Sequence, residues 1–237
     1  MTFFYNLALL TLSALLVHWK QHSNILREWL SPTRKRMVEF IKGFLMMCIL
    51  CVLFQLLVSM IDHSGWALKD SFPAVRILQS VWYDINSVLF EELLFRGVLL
   101  YMLIRYLPGN PHKALLFSAC CFGIYHWFTQ GVIGNLPAML LVFILTAGMG
   151  YVFAYAYYRT GSILLSFGLH LGWNLTDHTL FSTGPYGALI LKPHNTVEMS
   201  ESYALLSFIL YLLVIGSTYW MVSRLTPYRI TKDDQKK

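Results

Sequence analysis

The sequence predicts an all-α protein, a polytopic bundle of about seven transmembrane helices, with six to eight the bounds. Three observations predict it. Of the 237 residues, 57% are hydrophobic and only 13% charged, against roughly 45–50% and 25% in soluble domains. The mean hydropathy is +0.55. The apolar residues fall in long unbroken runs, not in the alternating segments of about ten residues that build a transmembrane β-barrel. So little polar surface can neither coat a soluble globule nor solvate a disordered chain. At about 20 residues per span, the chain has room for seven or eight crossings and no sizeable soluble domain.

The spans follow in order. The first runs roughly from Phe3 to Val17. It has neither the basic start nor the small-residue cleavage site of a signal peptide. A basic stretch follows, with Lys20, Arg27, Arg34, Lys35 and Arg36, and a short interfacial helix is expected around Ile25–Leu30, ended by Pro32. The second span is about Phe40–Ile61 and closes on a polar turn. Pro73 can open the next helix. That helix is expected to run unbroken from Ala74 to Leu107, about 50 Å at 1.5 Å per residue, so it must tilt, kink or project from the membrane. It stops at Pro108-Gly109-Asn110-Pro111. Spans four to seven are expected at 113–128, 138–158, 162–181 and 203–222, with a polar loop over 182–202. The chain thus divides into N-terminal spans with a basic loop (1–73), a helical core (74–181), and an outer loop, last span and basic tail (182–237).

The distribution of Lys and Arg sets the expected orientation. The loops 18–39, 105–113, 159–161 and 223–237 hold most of the 18 basic residues, whereas the opposite loops hold Lys69 and Lys192, with Arg76 at an edge. The N-terminus is therefore expected outside and the C-terminus in the cytoplasm. The net charge of +6 is loop charge of this kind and not a nucleic-acid patch. The lipid bilayer is the expected surrounding, and oligomeric state is not encoded in any visible pattern. The four cysteines all lie inside apolar runs. The pair Cys48 and Cys51 has no second pair or nearby His to complete a metal or redox site, and reads as small apolar side chains.

Ionisable groups inside apolar helices cost roughly 2.5–3.5 kcal/mol each and need a partner or a task. Three helices carry such groups. In the third span Glu91, Glu92 and Arg96 are deep in an apolar run. Glu92 and Arg96, four residues apart, share a helical face and can pair. That leaves Glu91 without a local partner and free to act as a general base on water. Asp84, seven residues earlier on Glu91's face, is another acid. In the fourth span, His126 follows Gly123, which allows another helix to come close. In the sixth, His170, Asn174 and Asp177 lie on one face, a ridge suited to stabilising an oxyanion or to binding metal. Asp177 and His178 sit nearer the outer end, where solvation accounts for them. There is no H-E-x-x-H, nucleophile elbow or phosphate loop.

The ordered set E-E-x-x-x-R (Glu91, Glu92, Arg96), F-x-x-x-H (Phe122, His126) and H-x-x-x-N (His170, Asn174) resembles the CPBP family, the CAAX-protease and bacteriocin-processing (Abi) intramembrane endopeptidases. The resemblance covers about residues 80–180. It implies that Glu91 activates water and His126 helps to hold it. It implies that His170 and Asn174 stabilise the oxyanion, with Glu92 and Arg96 as support. It also implies a peptide or membrane-protein substrate, such as a C-terminal sorting signal, a leader or a signalling peptide. Both metal-dependent and glutamate-dependent members are described. The metal-free form is favoured here, with no cofactor, and the alternative is zinc on Glu91, His126 and His170. The loop 182–202 has no counterpart in the family pattern. Two other function classes fit the same composition, a non-catalytic membrane immunity or partner-binding protein and a proton-coupled transporter. The second would prefer inverted repeats, and none is visible.

Overall fold

A computed structural model describes residues 2–21, 25–106, 110–195 and 201–225. The helices are α1 (Thr2–Gln21), α2 (Ile25–Leu30), α3 (Thr33–Ile61), α4 (Ala74–Glu92), α5 (Tyr101–Tyr106), α6 (Pro111–Thr129), α7 (Leu136–Thr160), α8 (Ile163–Leu175) and α9 (Glu201–Leu225). The breakers act where the sequence places them. Asn110 and Asn135 cap α6 and α7 through their side chains, each with a proline in the first turn, and Ser162 caps α8. Gly161, at φ 67°, closes α7 in the left-handed conformation that favours glycine.

The expected long third helix is continuous but not uniform. Leu93–Leu100, between α4 and α5, is π-helical, and so is Thr176–Leu180 after α8. Such wide turns cluster at functional sites, and here each follows a motif, Glu91-Glu92 in one case and His170 to Asn174 in the other.

The fold is helical as expected, with one small addition. Two four-residue strands, β1 (Gly65–Leu68) and β2 (Leu191–His194), pair antiparallel, with Gly65 opposite His194 and Leu68 opposite Leu191. They join the loop after α3 to the loop after α8. Neither strand carries the period-2 alternation that would mark it in the sequence. Trp66 packs edge-on against Phe181 at 4.9 Å and fastens the strand pair to the end of the α8 segment.

Helix α8 is the hub. It packs along α3 and also touches α2, α4, α7 and the first π-helical stretch. Its seat on α3 is main chain on main chain. A side chain at Gly168 would strike the Phe40 carbonyl, and one at Gly172 the Phe44 carbonyl. This is the small-xxx-small arrangement that brings membrane helices close. The outer faces are apolar. On α3, Ile41, Leu45, Ile49 and Leu53 form an i, i+4 stripe, each about half exposed. Exposed apolar area on this scale belongs to a protein surrounded by lipid.

Among the described residues, three helices are long and apolar enough to cross a membrane by length and composition: Thr33–Ile61, Leu136–Thr160 and Tyr203–Leu225. The chain is a helical membrane protein. The other helices do not reach that standard, and the reason is instructive. Asp84, Glu91 and Glu92 interrupt the apolar run of α4, and α8 ends after 13 residues.

A bulky residue at the α3–α8 seat should be poorly tolerated. Gly168→Leu is expected to destabilise the protein by about 1–3 kcal/mol or more through overpacking, read as a lowered thermal midpoint in detergent. Gly216→Ala, which meets nothing within 4 Å, should leave the midpoint unchanged.

Candidate active site

Helices α4, α6 and α8 bring the three motifs to one wall of a cavity of about 560 Å³. Glu91, Phe122, His126, His170 and Asn174 all line it. Glu92 and Arg96 lie behind that wall, fully buried.

The buried support is built first from Arg96. Its Nη1 donates to Glu92 Oε1 at 3.1 Å, as the i, i+4 spacing predicts, and its Nη2 donates to the Gly150 carbonyl at 3.0 Å. The guanidinium carbon is 4.6 Å from the centre of the Phe122 ring and 5.3 Å from that of Phe153. A cation that cannot be deprotonated is thus held by a carboxylate, a carbonyl and two ring faces.

Glu92 passes this order on to the next helix. His170 Nδ1 is 3.0 Å from Glu92 Oε1. With Glu92 already paired to Arg96, the carboxylate accepts and the imidazole donates. The His170 ring also stacks on Phe153, with centroids 4.8 Å apart and planes at 21°. Both contacts turn its Nε2 toward Glu91, 3.7 Å from Oε2.

His126 is oriented from within its own helix. Its Nδ1 donates to the Phe122 carbonyl at 2.8 Å, because a carbonyl only accepts. Its Nε2 then points to the same Glu91 Oε2, 3.9 Å away. That oxygen makes no hydrogen bond among the described residues. Two imidazole Nε2 atoms and one carboxylate oxygen therefore converge just beyond direct hydrogen-bonding distance. In the neutral rings all three are acceptors, so the group they face is a donor such as water, or a cation.

The donor types suit zinc. Among the described residues, however, no three His, Cys, Asp or Glu side chains are grouped so as to hold a metal ion. The cysteines are free, and Cys48 donates its thiol to the Gly172 carbonyl within the α3–α8 seat.

All the site residues expected from the sequence are near one another, with Asn174 one turn beyond His170 on the cavity wall. Two expectations change. Asp177 and His178 are not merely solvated. Asp177 accepts from Gln55 Nε2 at 2.6 Å and from Thr183 Oγ1 at 2.6 Å, and His178 Nδ1 pairs with Asp84 Oδ1 at 2.7 Å. Asp84, read from the sequence only as a further acid, has this His as its partner. Phe153 was not visible as part of the site. It sits in an aromatic-rich apolar helix, where no local signal separates it from its neighbours.

Removing the cation should cost more than removing the proposed base. Arg96→Leu leaves Glu92 buried without its cation, and is expected to destabilise by about 3–5 kcal/mol. Glu91→Gln removes a carboxylate oxygen that holds no protein hydrogen bond, and should shift the thermal midpoint little. Parallel thermal melts of the two variants in detergent check the difference.

Residues 73–176 match the family model described as Rce1-like, type II CAAX prenyl endopeptidase. No curated protein and no solved structure matches the chain. The matched stretch begins at the proline that opens α4 and ends one residue after α8, so it contains every residue of the three motifs. Over that stretch, somewhat less than half of the chain, the protein is similar to the Rce1-like CAAX endopeptidases, which supports an integral membrane protein of protease type.

Proposed function

We propose that the protein is an intramembrane endopeptidase that hydrolyses a peptide bond of a hydrophobic or membrane-associated segment with water activated by Glu91. The observation that carries this is the approach of His126 Nε2 and His170 Nε2 to the free Glu91 Oε2, at 3.9 and 3.7 Å. One water between them can hydrogen-bond to Glu91 and His126; on attack it gives one proton to the Glu91 carboxylate and keeps the other, hydrogen-bonded to His126 Nε2, so that a hydroxyl adds to the substrate carbonyl carbon. Attack moves negative charge to the carbonyl oxygen. The Asn174 amide can donate to that oxyanion in any protonation state. His170 Nδ1 already donates to Glu92, so its Nε2 can donate to the oxyanion only when the ring is protonated. The proton taken by Glu91 then goes to the leaving amine. Phe122 and Phe153 keep bulk water from the inner wall, so these few dipoles act in a medium of low dielectric.

A second reading, resting on donor type and not on grouping, has zinc held by Glu91, His126 and His170. Metal analysis of the purified protein, with activity before and after chelation, separates the two. Full activity at less than one tenth of an equivalent of zinc supports the metal-free mechanism. Loss on chelation with recovery on adding zinc overturns it.

The substrate class is a membrane-anchored sorting signal, leader or signalling peptide. Co-expression with candidate membrane peptides should give cleavage by the wild-type protein. Glu91→Gln should lower the rate by about 10²–10⁴, and Asn174→Ala by about 10²–10³. Cleavage by Glu91→Gln at the wild-type rate would sink the mechanism. If Glu91→Gln and His126→Ala both keep the biological activity, the protein is a binding partner and not a protease. Solute uptake by reconstituted vesicles would identify a transporter.

We also infer seven crossings, with the C-terminus in the cytoplasm of a bacterial inner membrane. The site helices cross as part of a bundle in which their polar groups face one another. A single cysteine at Lys69 or Lys192 should react with an impermeant maleimide in intact cells, and one at Arg159 should not. The reverse pattern overturns the orientation.

A further inference from the structure

We propose that His178 is a substrate-anchoring residue, which donates a hydrogen bond to an acceptor oxygen of the peptide about three residues from the bond that is cut. The proposal rests on the peptidase reading above and names one more subsite of the same cavity.

His178 lies in the π-helical turn after α8, outside the stretch matched by the family model. It lines the cavity and its side chain is 25% exposed. Its Nδ1 is committed to Asp84, which is fully buried, at 2.7 Å. The polar atom left for the cavity is Nε2. A carboxylate behind an imidazole fixes the ring's orientation, and as the imidazolium partner of Asp84 the ring donates from Nε2. The turn itself is tied down, because Thr179 shares a hydrogen bond with Ser80 of α4 at 2.9 Å.

The loop after the turn is shaped to this ring. At Gly184 a Cβ would come within 2.6 Å of His178 Cβ and 2.8 Å of Cγ, so only glycine lets the loop lie against the imidazole. Thr183 donates back to Asp177 and closes the loop there. His178 is therefore backed by a buried acid, flanked by its own loop, and directed into the space that Glu91 also faces.

The spacing follows from α4. Asp84 and Glu91 are seven residues apart, about 10 Å along the axis and on one face. An extended peptide advances about 3.3 Å per residue, so the anchor and the scissile carbonyl are about three residues apart. An extended chain is also the form whose carbonyl oxygens are unpaired and open to an outside donor, whereas those of a helix are taken up within it. The acceptor oxygen is either an internal carbonyl or a terminal carboxylate, and both present the same chemistry to Nε2.

The test uses the full chain in proteoliposomes and an internally quenched apolar decapeptide, with its C-terminus free or amidated. Affinity is read by fluorescence anisotropy in the Glu91→Gln background, where binding is measured without turnover. Adding His178→Ala should raise Kd about tenfold, the loss expected for one hydrogen bond, and His178→Gln should restore part of it. With Glu91 intact, His178→Ala should raise KM with little change in kcat, and mass spectrometry should show several cut positions instead of one. If amidation weakens wild-type binding but not that of His178→Ala, the anchored oxygen is the terminal carboxylate. Equal effects identify an internal carbonyl. Unchanged Kd and an unchanged single cut overturn the proposal. No hydrolysis of the peptide by the wild-type protein overturns the peptidase reading alone, since the affinity comparison stands without turnover.

Discussion

The buried guanidinium of Arg96 is the interaction on which the rest of the site depends. It sits in an apolar interior where an unpaired cation would be prohibitive. It is tolerated because it makes charge-assisted hydrogen bonds to Glu92 and to the Gly150 carbonyl and lies against Phe122 and Phe153. Those partners come from α4, α6 and α7. Through Glu92 the network reaches His170 on α8. Four helices are thus registered against one planar, permanently charged group. Lysine could not replace it, because a single ammonium cannot span the carboxylate, the carbonyl and two ring faces.

This arrangement explains why two adjacent glutamates have different surroundings. Glu92 faces inward, where Arg96 and His170 both donate to its Oε1. Glu91, rotated by about 100° on the helix, faces the cavity with a free oxygen. One carboxylate organises the protein and the other is left for chemistry. The same division holds for the histidines. Each has its Nδ1 engaged by the protein, one by Glu92 and one by the Phe122 carbonyl, and each turns Nε2 to the cavity. The neutral rings therefore act first as acceptors, which moves the unconditional oxyanion donor to Asn174.

Much of this was readable in the sequence, and what was not has physical reasons. Charge in an apolar run is conspicuous, so Glu91, Glu92 and Arg96 stood out, and i, i+4 spacing was enough to pair two of them. The helix ends followed from prolines, glycines and capping residues acting locally. Long-range geometry was not readable. The β1–β2 pair joins segments about 126 residues apart, each too short to carry a pattern. The π-helical stretches leave no mark in a hydrophobic run. His178 looked like a solvated terminal residue because its partner Asp84 is on another helix, 94 positions away. Phe153 orders both Arg96 and His170 yet resembles every other aromatic residue on its helix.

The glycines of the α3–α8 seat have a consequence for the accuracy of the site. Gly168 and Gly172 face α3, and His170, two residues from each, projects from the opposite side of α8. The main chain that carries the imidazole therefore rests on another main chain, with no side-chain torsions in between. Side chains hop among rotamers, whereas hydrogen-bonded backbone does not. A productive arrangement must hold to within about 0.5 Å, and a contact without rotamers transmits no such jitter. Two positions that contribute no side chain at all act as the fixed bearing against which the imidazole is aligned.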